Sequence, residues 1–372
     1  MRSNCFLLTV CCLLACRMVK AQYTTDKVVG HKNEAIVDSL KKVKYPYLLP
    51  AWGQRVINKG FRLPLPAGLS MQYVWQRSDL VISNLQIGFN NGPKQNLDEL
   101  IRFNNATAET NGINLRPDFW VFPFLNVYGI LAQSNSSTAV NCGLWIPDST
   151  SWKKIADFST KADFKSTTVG FGLTPTFGIG GFFLAIDMNF SWSDIEELEK
   201  PAYIFVLGPR LGKNFKFRDE QSLAVWAGGF RVHMNSGTSG SLQIADLFPT
   251  ESWQQKVDSG YMKVANSQQQ VDAWWNNLSS RDQQNPVNKA KYQAANAALE
   301  RAGQFLNGAS QAVTNVNNAT VQYSLDKAPK DKWNFIIGAQ YQLNNHFMVR
   351  AEYGFLSSRH QFIGGLQYRF GF

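Results

Sequence analysis

The chain has 372 residues, a formal net charge of +10 and a mean hydropathy of −0.23. Aromatic residues make up 13% of it, yet no apolar run beyond residue 21 reaches the roughly eighteen residues that a membrane-spanning helix needs. The basic residues are scattered along amphipathic segments, without the basic runs interleaved with aromatics that a nucleic-acid surface needs, so we expect no nucleic-acid partner.

The N-terminal residues are typical of an export signal. Arg2 supplies positive charge, Phe6 to Cys16 is an apolar run too short to span a bilayer, and Ala21 offers a small residue for cleavage. We therefore predict a cleaved signal peptide over residues 1–21. The alternative is a lipoprotein box in which Cys16 is acylated.

Cysteine usage limits the chemistry of the mature chain. Four of the five cysteines lie within the predicted signal, which leaves only Cys142. One thiol forms neither an internal disulfide nor a cysteine-rich metal site. We accordingly expect no metal, no cofactor and no disulfide framework.

Residues 22–66 precede the strand-rich part of the chain. Asn33 to Val43 has the pattern of a short helix, and a proline-rich stretch follows it. The segment is predicted to be a periplasmic tether or an inward plug, and the residues favour neither.

Residues 67–372 predict an all-β, antiparallel transmembrane barrel of about twelve strands, within a range of ten to fourteen. Apolar and polar residues alternate over segments of about ten residues, the length that crosses a tilted barrel wall. The predicted spans are 68–77, 79–90, 112–121, 124–133, 138–146, 167–178, 181–193, 202–213, 222–235, 333–343, 346–356 and 360–372.

The C-terminal residues resemble the last strand of bacterial outer-membrane proteins. Leu366, Tyr368, Phe370 and Phe372 share one face, and the chain ends on an aromatic residue. The resemblance implies an exported protein of the bacterial outer membrane that contacts outer-membrane lipid and the barrel-assembly machinery. The stretch NLRPDFWVFPFLNVYG is also similar in style to barrel proteins of the Bacteroidetes type, a likeness that implies no particular function.

A helical hairpin is predicted over residues 250–315, inserted in a barrel loop. Thr250 can cap the first helix, and Asn285-Pro286 is a good start for the second. Apolar residues recur at intervals of three and four. They are Val257, Tyr261, Val264, Val271, Trp275 and Leu278 in the first helix, and Tyr292, Ala295, Leu299, Ala302, Leu306, Ala309 and Val313 in the second.

Alternation along each strand predicts which charges face the lumen. They are Arg116, Asp118, Asp187, Arg210, Arg231, His233, Arg350, Glu352 and Arg369. Their basic excess favours a pore or binding barrel for small polar or anionic solutes, since rings of arginine attract anions. A salt-bridged ladder that fills a narrow barrel is the alternative. Tyr73, Trp75, Trp192 and Trp226 are predicted to face outward as girdle anchors at the headgroup level.

Two further functions remain open at this point. The barrel could be an anchor whose helical hairpin docks a protein partner. Alternatively, His233 and Ser236 could serve an outer-membrane hydrolase, but three residues of separation place them on opposite faces of a regular strand. We find no catalytic constellation and predict a protein that is not an enzyme.

Overall fold

The structure is a computed structural model that describes residues 38, 44–59, 61–148, 151–179, 181–196, 198–217, 220–234, 237–244, 253–314 and 319–372. The predicted signal peptide and the predicted helix from Asn33 lie almost wholly outside these ranges. Among the described residues, no helix is long and apolar enough to cross a bilayer.

Antiparallel strands dominate the fold. The strands are β1 (Ala67–Phe89), β2 (Gln95–Asn96), β3 (Ile101–Phe122), β4 (Leu125–Pro147), β5 (Trp152–Ile179), β6 (Phe182–Ile195), β7 (Ala202–Lys216), β8 (Ser222–Met234), β9 (Gly237–Gln243), β10 (Thr320–Pro329), β11 (Trp333–Gln342), β12 (Phe347–Leu356) and β13 (Arg359–Phe370).

Ten of these strands close into a barrel. Each pairs with its neighbours in the order β13-β12-β11-β8-β7-β6-β5-β4-β3-β1, and β1 pairs with β13 from Ala67↔Phe370 to Ser78↔Arg359. Closure removes the free strand edges that would otherwise leave backbone groups unpaired. The predicted antiparallel barrel is confirmed in architecture.

The barrel has ten strands, the lower end of the predicted range of ten to fourteen. The difference from twelve arises because two pairs of predicted spans are single strands. Spans 68–77 and 79–90 form β1, and spans 124–133 and 138–146 form β4. The polar residues at these breaks are not turns. Ser134 and Ser136 instead bond to the neighbouring strands through Ser166 and Thr110, at 2.7 and 2.8 Å.

The remaining strands lie outside the barrel, at the end opposite the two barrel termini. At Leu80 β1 exchanges its neighbour β13 for β10, which in turn pairs with β9. Together with the long upper parts of β3, β4 and β5, these strands build an extension on the barrel. β10 was not predicted, although Val321, Tyr323 and Leu325 alternate with polar residues.

Helices interrupt the chain between β9 and β10. They are α2 (Trp253–Asn276), the short α3 (Ser280–Gln284) and α4 (Pro286–Thr314). α2 and α4, here called the helical pair, run antiparallel: the Trp275 and Tyr292 rings stack at 4.6 Å, and Gln268 donates to Asn296 at 2.6 Å. The predicted start of the second helix at Pro286 is confirmed, and Thr250 lies outside the described residues.

The helical pair packs on the far end of the extension. Val257 and Val271 of α2 and Leu299, Ala302 and Leu306 of α4 are buried in one apolar cluster with the ends of β3, β4 and β5. The pair is therefore the cover of the extension.

The segment before β1 lies at the barrel's terminal end. A short helix, α1 (Gly53–Ile57), follows Trp52, whose ring lies 4.9 Å from that of Phe122 at the β3–β4 turn. Further along, the Leu65 carbonyl accepts a hydrogen bond from Arg369 Nε at 3.0 Å. The part of residues 22–66 that is described thus contacts the lumen mouth, and its role as tether or plug stays a prediction.

Candidate functional site in the barrel lumen

The lumen toward the terminal end holds a polar cavity of about 120 Å³. Because strand side chains alternate between faces, every second residue of each barrel strand points inward. The charged residues that line the cavity are Arg116, Asp118, Asp187, Arg350 and Arg369.

Glu352 is the centre of one charged network. Arg210 donates to its carboxylate through Nε at 2.9 Å and Nη2 at 3.1 Å, and Arg350 Nη2 donates to it at 3.1 Å. Trp226 Nε1 donates at 2.9 Å, and Arg210 also binds Asp187. The forked contact of Arg210 is the geometry that a guanidinium and a carboxylate favour.

Asp118 is the centre of a second network. It accepts hydrogen bonds from Asn126 at 2.8 Å, Gln367 at 2.7 Å and Arg369 Nη1 at 3.0 Å. Asp118 and Arg369 are both buried, so each satisfies a charge that would be costly alone.

Arg116 stands apart from both networks. Its guanidinium lies 3.8 Å from the centre of the Tyr128 ring, in a cation–π contact. Tyr128 is itself held by its hydroxyl, which donates to Asn189 at 2.7 Å. No carboxylate of the described residues pairs with Arg116, and its side chain lines the cavity.

Glycines make room for the lumen aromatics. A Cβ added at Gly172 would lie 2.2 Å from the Tyr128 ring, and one at Gly338 would lie 2.4 Å from Trp226 Cε2. Any side chain at either position would push the ring away from its hydrogen-bond partner.

Both networks join strands that are not neighbours in the barrel. Arg210 and Glu352 lie on β7 and β12, which are separated by two strands, and Asp118 and Arg369 lie on either side of β1. Side chains that bond to one another inside the barrel occupy part of its interior, as in narrow barrels.

The outer face of the barrel is an apolar belt. Exposed side chains there include Met71, Ile113, Leu131, Val169 and Ile337, each at least 48% exposed. Large apolar patches of this extent are not left to water in a soluble protein. A closed barrel with an outward apolar band is the one β-architecture that spans a bilayer.

The protein is a β-barrel of the bacterial outer membrane. The residues of the C-terminal strand fit this location, because Leu366, Tyr368, Phe370 and Phe372 are all exposed on the outer face.

No family model and no curated protein matches the chain. Among solved structures, the translocator domain of the autotransporter NalP from Neisseria meningitidis is 10% identical, with 91% of this chain and 94% of that chain covered and a TM-score of 0.30. The β domain of the Bordetella autotransporter BrkA is 9% identical over 82% of this chain and all of that chain, with a TM-score of 0.29. An outer membrane channel from Pseudomonas putida F1 is 8% identical, covers 82% and 96%, and has a TM-score of 0.26. Likeness this distant carries no argument about function.

The prediction for β8 has the wrong phase. Arg231 and His233, predicted to face the lumen, are exposed on the outer face, and Trp226, predicted to face outward, is buried inside. The other seven predicted charges lie on the lumen side: Arg116, Asp118, Asp187, Arg210, Arg350, Glu352 and Arg369. Trp226 turns inward because Glu352 accepts its Nε1–H, and an outward Arg231 near the end of the strand suits the headgroup level.

The hydrolase hypothesis rests on His233 and Ser236. His233 is on the outer face, away from the lumen, and Ser236 lies outside the described residues. Within the described ranges, no three His, Cys, Asp or Glu side chains meet in a metal-binding arrangement.

Two interior cations were not predicted. Arg359 is 1% exposed, and its guanidinium lies 5.6 Å from the centre of the Phe230 ring. Lys327 belongs to β10, outside the barrel. β13 begins one residue before the predicted span, and its alternation extended to that residue places Arg359 on the inner face. The alternation of β10 likewise places Lys327 on the same face as its apolar residues.

Proposed function

We propose that the protein is a non-enzymatic binding barrel, which holds a small anionic solute in its lumen beside Arg116. The observation that carries the proposal is the unequal pairing of the lumen guanidiniums. Arg210, Arg350 and Arg369 each bind a carboxylate, whereas Arg116 lies against an aromatic ring at the cavity and pairs with no carboxylate of the described residues.

The charge balance supports an anion as the solute. Four guanidiniums (Arg116, Arg210, Arg350 and Arg369) meet three carboxylates (Asp118, Asp187 and Glu352) in and around the cavity. A guanidinium away from bulk water gains most from a bound anion, because the interaction strengthens as the local dielectric constant falls. The side-chain networks in the lumen favour retention of the solute over free flux.

The test measures anion binding by titration calorimetry, with inorganic phosphate and succinate as probes and ionic strength held constant. A hydrogen bond to a charged group contributes about 1.5–3 kcal/mol. We therefore expect Arg116→Gln to weaken binding by about 10- to 100-fold. Arg231→Gln is the matched control: it removes an arginine from the outer face and should leave binding unchanged.

A planar-bilayer recording completes this test. We expect the wild-type protein to show no steady conductance, because bonded side chains occupy part of the lumen. Steady conductance would favour the open pore, and failure of both probes to bind the wild-type protein would overturn the binding barrel.

The orientation and assembly of the barrel are part of the proposal. Connections at the terminal end are short, such as the two residues between β3 and β4, while the other end carries the insertion between β8 and β11. Outer-membrane barrels keep short turns in the periplasm and long loops outside. We infer that the helical pair is extracellular and that the C-terminal strand is recognised by the barrel-assembly machinery.

Protein docking by the helical insertion is the rival proposal. Met262 and Val287 are apolar and more than 60% exposed on its solvent side. Deletion of residues 250–315 would distinguish a docking module from a part of the fold. Loss of a captured partner with an intact barrel supports docking. Loss of the fold shows that the helices belong to the core.

A further inference from the structure

A second, larger cavity lies in the extension beyond the membrane belt. Its volume is about 280 Å³. Its wall comes from the upper parts of β1, β3, β4 and β5, from the ends of β6, β7 and β8, from β9 and β10, and from α4. We call it the upper chamber. Phe305 and Ala309 of α4 roof it, and apolar side chains such as Ile87, Phe103, Phe164 and Leu325 form most of its wall.

The upper chamber lies outside the bilayer. On β4 the outward residues change from Leu131 in the belt to the exposed Gln133, Asn135 and Asn141. On β5 they change from Val169 to Lys161, Asp163 and Lys165. The chamber-lining stretches of both strands fall in these water-facing parts, so the chamber is an apolar space surrounded by a polar exterior.

One polar corner interrupts the apolar wall. Lys327 reaches from β10 across to β4, where its Nζ donates to Thr138 Oγ1 at 3.2 Å. Among the described residues no carboxylate pairs with this ammonium group. Burial lowers the pKa of Lys327, since the charged form has lost its water.

Thr160 completes the corner. Its Oγ1 is buried without a hydrogen-bond partner within the described part of the chain. Because Thr138 pairs with Ala162 across β4 and β5, Thr160 is the diagonal neighbour of Thr138 on the same inner face. An unbonded hydroxyl and an unpaired ammonium group therefore face one space.

We infer that the upper chamber binds a single-chain amphiphile, with its hydrocarbon chain against the apolar wall and its anionic head group on Lys327, Thr138 and Thr160. The site is separate from the Arg116 cavity, and neither proposal depends on the other.

The volume and lining support this occupant. An apolar cavity of ~150 Å³ admits benzene and stays free of water, and the upper chamber is nearly twice as large. A hydrocarbon chain fills such a space favourably, whereas water would find few hydrogen-bond partners along a wall that is mostly apolar. An anionic head group supplies the counter-charge that Lys327 lacks.

Cys142 provides a native reporter of occupancy. It lines the chamber, and it is the single cysteine among the described residues. With the protein in detergent-free nanodiscs, alkylation by N-ethylmaleimide is followed at fixed pH against increasing dodecanoate, dodecyl phosphate or dodecanol. We expect both anionic amphiphiles to slow alkylation at concentrations at least 10-fold below that required for dodecanol.

Two substitutions test the head-group site and the hydrocarbon-chain site separately. Lys327→Met should remove the advantage of the anionic probes over dodecanol and leave protection by dodecanol in place. Ala309→Trp should fill the chamber and abolish protection by all three. Ala294→Trp, on an exposed face of the same helix, is the matched control and should behave as wild type.

The outcomes decide the proposal. Protection that differs between carboxylate and phosphate identifies the preferred head group. An anionic preference that survives Lys327→Met overturns the head-group site. Absence of protection by either anionic probe in the wild-type protein, or protection unchanged by Ala309→Trp in a folded barrel, overturns the chamber as a binding site. Arg116→Gln should not alter any of these results.

Discussion

The ion pairs of the lumen are residue-scale features that act on both stability and selectivity. Arg210 and Glu352 have side chains that are 11% and 3% exposed, so solvent screens their attraction weakly. Breaking such a buried pair leaves an uncompensated charge, which costs more than the intact pair contributes. Glu352 carries the largest such penalty, because it accepts from Arg210, Arg350 and Trp226 together.

Glu352→Gln should therefore lower the free energy of unfolding by about 3 kcal/mol. Arg210 would keep only Asp187 as a carboxylate partner, and the amide nitrogen of glutamine would meet a donor. The measurement is urea unfolding from lipid vesicles, followed by tryptophan fluorescence.

Glu300→Gln on the exposed face of α4 is the control for that experiment. It should change the free energy of unfolding by less than about 0.5 kcal/mol, as surface substitutions do. Equal, small effects of the two substitutions would show that the Glu352 network does not hold the barrel together.

At the scale of elements, the sequence predicts the strands of the membrane belt well. There, one face of each strand meets hydrocarbon and the other meets the polar lumen, so alternation is strong, as along β11, β12 and β13. The lumen charges of these strands follow from the same alternation.

Alternation fails where both faces of a strand are apolar. In β8, Leu223, Val225 and Ala227 face outward, while Ala224, Trp226 and Phe230 face inward. The inward side chains are bulkier and more aromatic than the outward ones. Because bulky apolar side chains are expected to face lipid, the sequence alone favours the wrong phase. Its inward placement depends on Glu352 and Arg359, which lie on other strands.

The extension was harder to predict, because its strands have water on the outside. Ser134 to Thr138 has the composition of a loop, yet these residues continue β4 since their hydroxyls bond to β3 and β5. The upper chamber forms where several such strands meet under α4, and no single strand predicts that meeting.

When the contact between α2 and α4 is weakened, the helical pair should unfold locally while the barrel stays folded. Leu306 is 1% exposed and lies over Gly260, where an added Cβ would be 2.9 Å from its Cδ2. Leu306→Ala should destabilise the pair by about 2–5 kcal/mol. Hydrogen exchange should rise in α2 and α4 and stay low in the ten barrel strands.

The exposed Val287→Ala provides the comparison and should leave exchange unchanged. Faster exchange throughout the barrel after Leu306→Ala would mean that the helices and the barrel unfold as one unit.

At the scale of the whole molecule, three environments follow one another along the barrel axis. The polar cavity lies toward the termini, the apolar belt surrounds the middle of the barrel, and the upper chamber lies beyond the belt under the helical pair. Solutes that enter from the helical end would meet an apolar space before an ion-paired one.

The central claim is that the outward residues of one strand pass from lipid to water along its length. The most direct measurement places spin labels at odd positions of β4, from Val127 to Asn141, in a Cys142→Ser background, and compares collision with oxygen and with a nickel chelate. We expect high oxygen access at Val127 and Leu131 and a switch to the nickel chelate at or just after Gln133. Labels that favour the nickel chelate at every position, or oxygen as far as Asn141, would contradict it.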